Sequence, residues 1–428
     1  MIRMSTFFVF ALCIIAFAGA ANATNYFQPS IPSATDPMPT LPFVTPEMYG
    51  AVGDGATDDH VALNNATAAA CSNKITLFLD KSYSIGSTTW NMTSGAGCNG
   101  GLTIIGNGDN ATIITYKAAS NNTGVAWDMT GAAYVNATGF AVYGGTKGAS
   151  NSPNVTLLLG AANSSGFIFS GLMRFTSVFI SNAQGSWVMV DNGAEQLDFV
   201  DCTAQAMGTS SDGIQFVSSG SAPSISSSIV TTNSPVASMT DVHWHGAKGA
   251  LLFYGFYGVI FHFSGTGAAQ GIADIHFDDF GESFTPAGTQ FKFMSDDSGG
   301  AANTVLTNVG GSRLELQNNG ANGAMTIGNF SAARVDQIEF DGAFYWHGGT
   351  VTNNPFVFGA ATTLTNSRFS WNPNNSGTWT GTEIVQVPTG TLVNGVDVRA
   401  PYPKAMLLNG GATLNSYIIQ GTDGTVVH

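Results

Sequence analysis

Seven short segments of this chain share a pattern that could carry acid–base chemistry. They are Gln196-Leu197-Asp198-Phe199-Val200, Asp241-Val242-His243-Trp244-His245, Asp274-Ile275-His276-Phe277-Asp278, Arg313-Leu314-Glu315-Leu316-Gln317, Gln337-Ile338-Glu339-Phe340-Asp341, Arg368-Phe369-Ser370-Trp371-Asn372 and Gly395-Val396-Asp397-Val398-Arg399. The second and fourth residues are apolar every time. In an extended strand alternate side chains face opposite ways, so those two point inward and the other three outward. Stacked in register, the third positions form an outward column of Asp198, His243, His276, Glu315, Glu339, Ser370 and Asp397, about 4.8 Å from neighbour to neighbour. Asp241, Asp274, Arg313 and Arg368 flank it on one side, His245, Asp278 and Asp341 on the other. Only 9% of the residues are charged, so this concentration on one face stands out. Like charges at that spacing raise carboxylate pKa values, as catalytic acid–base pairs require.

Two chemistries fit. Inverting glycoside hydrolysis needs two carboxyl groups about 6.5–9.5 Å apart, one protonating the leaving oxygen and one activating water. Glu315 with Asp341, or Asp278 with Glu315, would reach that separation, whereas Glu315 directly under Glu339 would be nearer the retaining distance. β-Elimination needs a base and a cation that neutralises a uronate carboxylate; His243, His276, Arg313 or Arg368 would serve, with calcium on the Asp residues. Scarcity of Arg and Lys favours hydrolysis. The catalytic candidates are therefore Glu315, Glu339, Asp278, Asp341 and His276, with Asp241, His243, Arg313 and Arg368 contacting substrate. Trp346, beside His347 in the loop after Asp341, offers a sugar-stacking platform or simply covers an edge. Trp244 and Trp371 fall on inward positions. His243, His245, His276 and Asp278 also have the side chains of a transition-metal site, but stacked histidines are more often hydrogen-bonded surface residues, and no metal is assigned. The plain alternative for the whole column is a solvated face, where polar residues occur anyway.

The elements that must position these residues follow from composition. The chain has 428 residues with 53 Gly, 29 Phe and 44% hydrophobic residues. That balance reads as sheet turned repeatedly by small polar residues rather than as solvated helices. A rung of this kind cannot bury its apolar face alone, so stacked rungs supply the core. The expectation is an all-β, single parallel β-helix over residues 46–428 with a short N-terminal capping helix. Residues 24–45 are Pro-rich and read as an arm. Residues 1–23 read as a cleaved signal peptide: Arg3, an apolar run over 7–20, then Ala21-Asn22-Ala23. The protein is thus expected to be exported, extracellular or periplasmic, with no membrane insertion.

Removing Arg3 from the 13 basic residues leaves 12 against 27 acidic ones. Nucleic acid and anionic membranes are poor partners for such a chain, and strongly anionic polysaccharides are disfavoured unless calcium bridges the two. After Cys13 leaves with the signal peptide, Cys71, Cys98 and Cys202 remain. A Cys71–Cys98 bridge would close a 27-residue loop and stabilise by about 3–4 kcal/mol in the chain-entropy picture; alternatively all three are small buried apolar residues.

Gly53-Asp54-Gly55-Ala56-Thr57-Asp58-Asp59, preceded by Tyr49-Gly50-Ala51-Val52, resembles the opening segment of the pectate-lyase-like β-helix superfamily. That group includes polygalacturonases, rhamnogalacturonan-active enzymes and phage tailspikes. Residues 77–85 resemble its next strand and turn, and 101–108 its first full rung. Read by itself, the motif suggests Thr57 as an N-cap with Asp58 and Asp59 in a first helical turn. The resemblance implies a right-handed parallel β-helix with this segment as N-terminal cap, a polysaccharide substrate or receptor, and a monomer or homotrimer. Ser211-Asp212-Gly213 is only faintly similar to one polygalacturonase site motif. The Asp-Asp, Gly-His-Gly and Arg-Ile-Lys motifs have no convincing counterparts, the sequence around Asp278-Asp279 being different. A secreted glycoside hydrolase is the leading expectation; a polysaccharide lyase and a non-catalytic glycan-binding adhesin are the alternatives.

Overall fold

A computed structural model describes residues 42–117, 124–145, 152–160, 170–181, 183, 186–191, 194–205, 212–217, 239–245, 251–254, 259–264, 271–278, 281–285, 291–296, 305–318, 325–346, 350–351, 354–370, 372–375, 378–379, 384–399, 413–420 and 426–427. Only the backbone is described for the strands within 203–272 and for Glu315 and Trp346. The signal peptide and nearly all of the arm expected from the sequence lie outside the described residues, as do Trp371 and His347.

The chain is a right-handed parallel β-helix. A 22-stranded and a 10-stranded sheet carry the coils, and the pairs between successive rungs are parallel. Two ladders of left-handed residues bend rungs of the larger sheet. The first runs through Tyr134, Leu172, Gln196, Asp274, Asn308, Gln337, Asn366 and Gly395, with φ between 49° and 66°. The second includes Gly139, Ser177, Asp201 and Arg313. Between the two bends lies a short middle face, four residues per rung. Side-chain amides tie the first bend together: Asn308 Nδ2 donates to Asp274 Oδ1 at 2.6 Å, and Asn366 Nδ2 to Asp336 Oδ1 at 2.9 Å. Asn and Asp tolerate this conformation because their short polar side chains bond locally.

Alternation on the middle face is as the apolar pattern requires. Leu197, Phe199, Ile275, Phe277, Ile338, Phe340, Phe369 and Val398 are buried. The inward column is Leu197, Val242, Ile275, Val309 and Ile338, and beside it Phe340 pairs with Phe369. Leu314 therefore does not belong to the column with Ile275 and Ile338, since it opposes Gly342 beyond the second bend. Aromatic rings stack through the interior, Trp90 on Trp127 at 4.9 Å and Phe175 on Phe199 at 4.9 Å. Each ring fully removed from water contributes on the order of 1.5–3 kcal/mol.

The N-terminal end is covered by α1, His60–Asn73, whose Leu63, Ala66 and Ala70 join the core. Asp59, not Thr57, is its N-cap, and Asp54–Asp58 is extended. The difference has a physical cause: the buried Asp59 carboxylate turns back to accept the Val52 and Gly53 backbone N–H groups, at 2.7 and 3.1 Å. Asp54 accepts from the Ala56 and Thr57 amides and the Thr57 hydroxyl. The Gly-Asp-Gly motif is thus a brace for the cap. Cys71, in the last turn of α1, is bonded to Cys98, and both are buried. Cys202 is free and buried, which pushes its thiol up to about 12. Among the described residues no helix is long and apolar enough to cross a membrane.

Candidate functional site

The outward side of the middle face carries the charged residues. In register order its main column is Asn136, Arg174, Asp198, His243, His276, Gly310, Glu339, Arg368 and Asp397. Asp198, His243, His276, Glu339 and Asp397 fall where the apolar alternation put them. Glu315 does not. It opposes Ala343 and Gly281, past the second bend, because the rung that enters the column is Asn308-Val309-Gly310-Gly311-Ser312. Glu315 is therefore not directly under Glu339. Nor is Ser370 in the main column; it pairs with Arg399, and Arg368 takes the column position next to Glu339.

The remaining candidates spread over three places. Asp278 joins the second outward column, opposite His245 and Ser312, and Asp341 follows Phe340 on the same face. Asp241 aligns with Asp274 at the first bend, bracketed by the pairs Thr240–Ala273 and Val242–Ile275. Arg313 sits exposed at the second bend with φ 52°. Trp346 is the last residue of the strand Arg334–Trp346, opposite Asn318 and Asn375, rather than in a loop after Asp341. Asp212 heads a strand of the other sheet, away from this face.

The charges are interleaved. Arg174 Nε lies 3.4 Å from Asp198. Arg368 reaches Glu339 at 3.2 Å and Asp397 at 3.6 Å, and Arg399 reaches Asp397 at 2.9 Å. In the main column Glu339 has Gly310 on one side and Arg368 on the other, so the stacked like charges expected from the sequence are absent there. Sequence reasoning passed over Arg174, although Leu172-Met173-Arg174-Phe175-Thr176 carries the same signal. It also passed over the pair Gly310-Gly311. A Cβ on Gly310 would lie 1.7 Å from the Glu339 carbonyl oxygen, and one on Gly311 would lie 2.5 Å from that of Phe277.

Gly310 is buried, and it breaks the column of outward side chains without opening a cavity. On one side stand His276 and Asp278, on the other Glu339 and Asp341. Those rungs are two strand spacings apart, and the two-residue offset between the columns puts Asp278 and Glu339 about 11–12 Å apart at the backbone, from which side chains leaning toward each other would approach the separation of an inverting carboxylate pair. Asp278 Oδ1 accepts from the Ser312 hydroxyl at 2.5 Å and amide at 3.3 Å, which ties the carboxylate to the Gly310-Gly311-Ser312 rung. Among the described residues no three His, Cys, Asp or Glu side chains form a metal-holding group.

No protein-family model matches the chain, and no curated protein matches it in sequence. Solved structures of similar shape include the A-module of a mannuronan C-5 epimerase from Azotobacter vinelandii (TM-score 0.45, 13% identity, covering 87% of this chain and 100% of that one). Others are an endo-xylogalacturonan hydrolase from Aspergillus tubingensis (TM-score 0.41, 13% identity, 89% and 93%) and a protein of Geobacillus virus E2 (TM-score 0.45, 12% identity, 88% and 61%). The chain thus spans somewhat under two thirds of the length of the viral protein.

Proposed function

We propose that this is an exported carbohydrate-active protein that lays a polysaccharide along the middle face and hydrolyses a glycosidic bond beside the Gly310 rung. The observation that carries the reading is the pair Asp278 and Glu339, which stand in adjacent outward columns on the two rungs that flank Gly310-Gly311-Ser312. One carboxyl group gives its proton to the leaving glycosidic oxygen. The other takes a proton from the water that attacks the anomeric carbon. His276, on the Asp278 rung, orients the sugar, and Asp341 is the substitute for Glu339.

A second reading is a glycan-binding protein without catalysis. It is supported by the Glu339–Arg368–Asp397–Arg399 ladder, which keeps Glu339 in an ion pair. Release of reducing ends from a polysaccharide panel separates the two. Under the first reading Asp278→Asn and Glu339→Gln each lower turnover about 100-fold or more, while Glu315→Gln, beyond the bend, leaves it unchanged. Unsaturated, ultraviolet-absorbing products would instead mean elimination. Wild-type rates for both variants would remove the pair from the chemistry, and binding without cleavage by the parent would leave the second reading.

A further inference from the structure

Toward the N-terminal end, the same face loses its charge. The main outward column there is Thr76, Thr103 and Asn136, and the column beside it Phe78, Ile105 and Thr138. Against Thr76 and Thr103 opens a groove of ≈ 400 Å³, lined also by Lys74, Gly100, Gly101 and Tyr134. A side chain on Gly100 would come within 3.3 Å of Lys74 Cε, so glycine keeps the floor open. Lys74 makes no ion pair among the described residues, and Tyr134 stands at the lip, 53% exposed. Leu172, one rung on, is 42% exposed.

Both of these residues belong to the first ladder of left-handed bends, with φ 60° and 53°. Apart from these two, the ladder's described members are Lys74, Gly101, Gln196, Asp274, Asn308, Gln337, Asn366 and Gly395, small or polar residues. A bulky apolar side chain is disfavoured in that conformation, and an exposed one gains no burial in return. Such positions persist where the side chain is used.

We propose that this groove is a sugar-binding subsite. The Tyr134 ring stacks on the apolar face of a pyranose and Leu172 extends the platform. The Thr76 and Thr103 hydroxyls and the Lys74 ammonium hydrogen-bond the sugar hydroxyls. The inference rests on the proposed function and adds a substrate class. Thr103 is six rungs from Gly310, about 29 Å at the strand spacing, so a ligand filling both places is an extended oligosaccharide running along the helix axis.

Calorimetry with cello-, laminari- and galacturono-hexasaccharides tests it on the whole chain. Tyr134→Gly suits the left-handed backbone, so its melting temperature should equal or exceed that of the parent. Its affinity for the hexasaccharide the parent binds should nevertheless fall about 10-fold or more. Tyr134→Phe, which keeps the ring, should bind within about 3-fold of the parent. A Tyr134→Gly protein that is folded and binds like the parent overturns the subsite and leaves the Gly310 reading standing. A parent that binds none of the three overturns both.

Discussion

At the residue scale, the cap shows how few groups hold one end of the molecule together. Asp59 is buried and satisfies two amides that have no strand partner, so Asp59→Ala strands both. The expected loss is about 1–3 kcal/mol in denaturant unfolding, the range for part-buried hydrogen bonds to a charged group. Asp54 is exposed, and the Thr57 amide, then the Ala56 amide and the Thr57 hydroxyl, hold its carboxyl below the ordinary value. A depressed pKa stabilises the fold above the unfolded-state value and ceases to do so as pH falls through the folded one. Asp54→Ala should therefore lower the melting temperature at pH 7, and the difference from wild type should fade as pH drops below the ordinary carboxylate range. A constant difference across that range would mean the loop is held by something other than the ionised group.

At the scale of the strand, the break in the charged column at Gly310 is a packing requirement. With 1.7 Å between a Cβ on Gly310 and the Glu339 carbonyl oxygen, Gly310→Ala forces the two rungs apart. Overpacking of this kind costs about 1–3 kcal/mol or more, and thermal melting of Gly310→Ala beside Ser370→Ala checks it. The serine variant lies on the same face without such a contact and should melt near wild type. The Glu339–Arg368–Asp397–Arg399 ladder, by contrast, is half exposed, so each pair contributes only about 0–1 kcal/mol and weakens with salt. Its value is in holding Glu339 beside the Gly310 rung.

At the scale of the whole molecule, stacked rungs need a closed end. A solenoid's terminal rung exposes its apolar section unless something covers it, and α1 does so with Leu63, Ala66 and Ala70. The Cys71–Cys98 bond ties that lid to the first rungs. Reducing it, or Cys71→Ser with Cys98→Ser, should cost about 3–4 kcal/mol for a 27-residue loop, measured by denaturant unfolding with and without reductant. An unchanged midpoint would show that the lid stays seated by packing alone.

The fold was legible from the sequence because its cause is periodic. Apolar residues at alternate positions, repeated from rung to rung, leave a stacked sheet as the arrangement that buries them all, and Gly53 to Asp59 marks the capped end. Strand parity was legible for the same reason, and it placed Asp198, His243, His276 and Glu339 on one outward face. Register was not legible where the repeat is interrupted. Asn308-Val309-Gly310-Gly311-Ser312 has glycine where the pattern wants an inward apolar residue, and Asn366-Ser367-Arg368-Phe369-Ser370 has a buried serine, which gives its hydroxyl proton to Thr365 O and accepts the Ile338 amide. Arg313-Leu314-Glu315 imitates the pattern because it too begins on a left-handed residue, but at the second bend. Parity is set by the residues of one strand, which the sequence contains in full. Which rung lies beside which, and so which charge meets which, depends on close contacts between strands about 30 residues apart, and only the tertiary structure decides that.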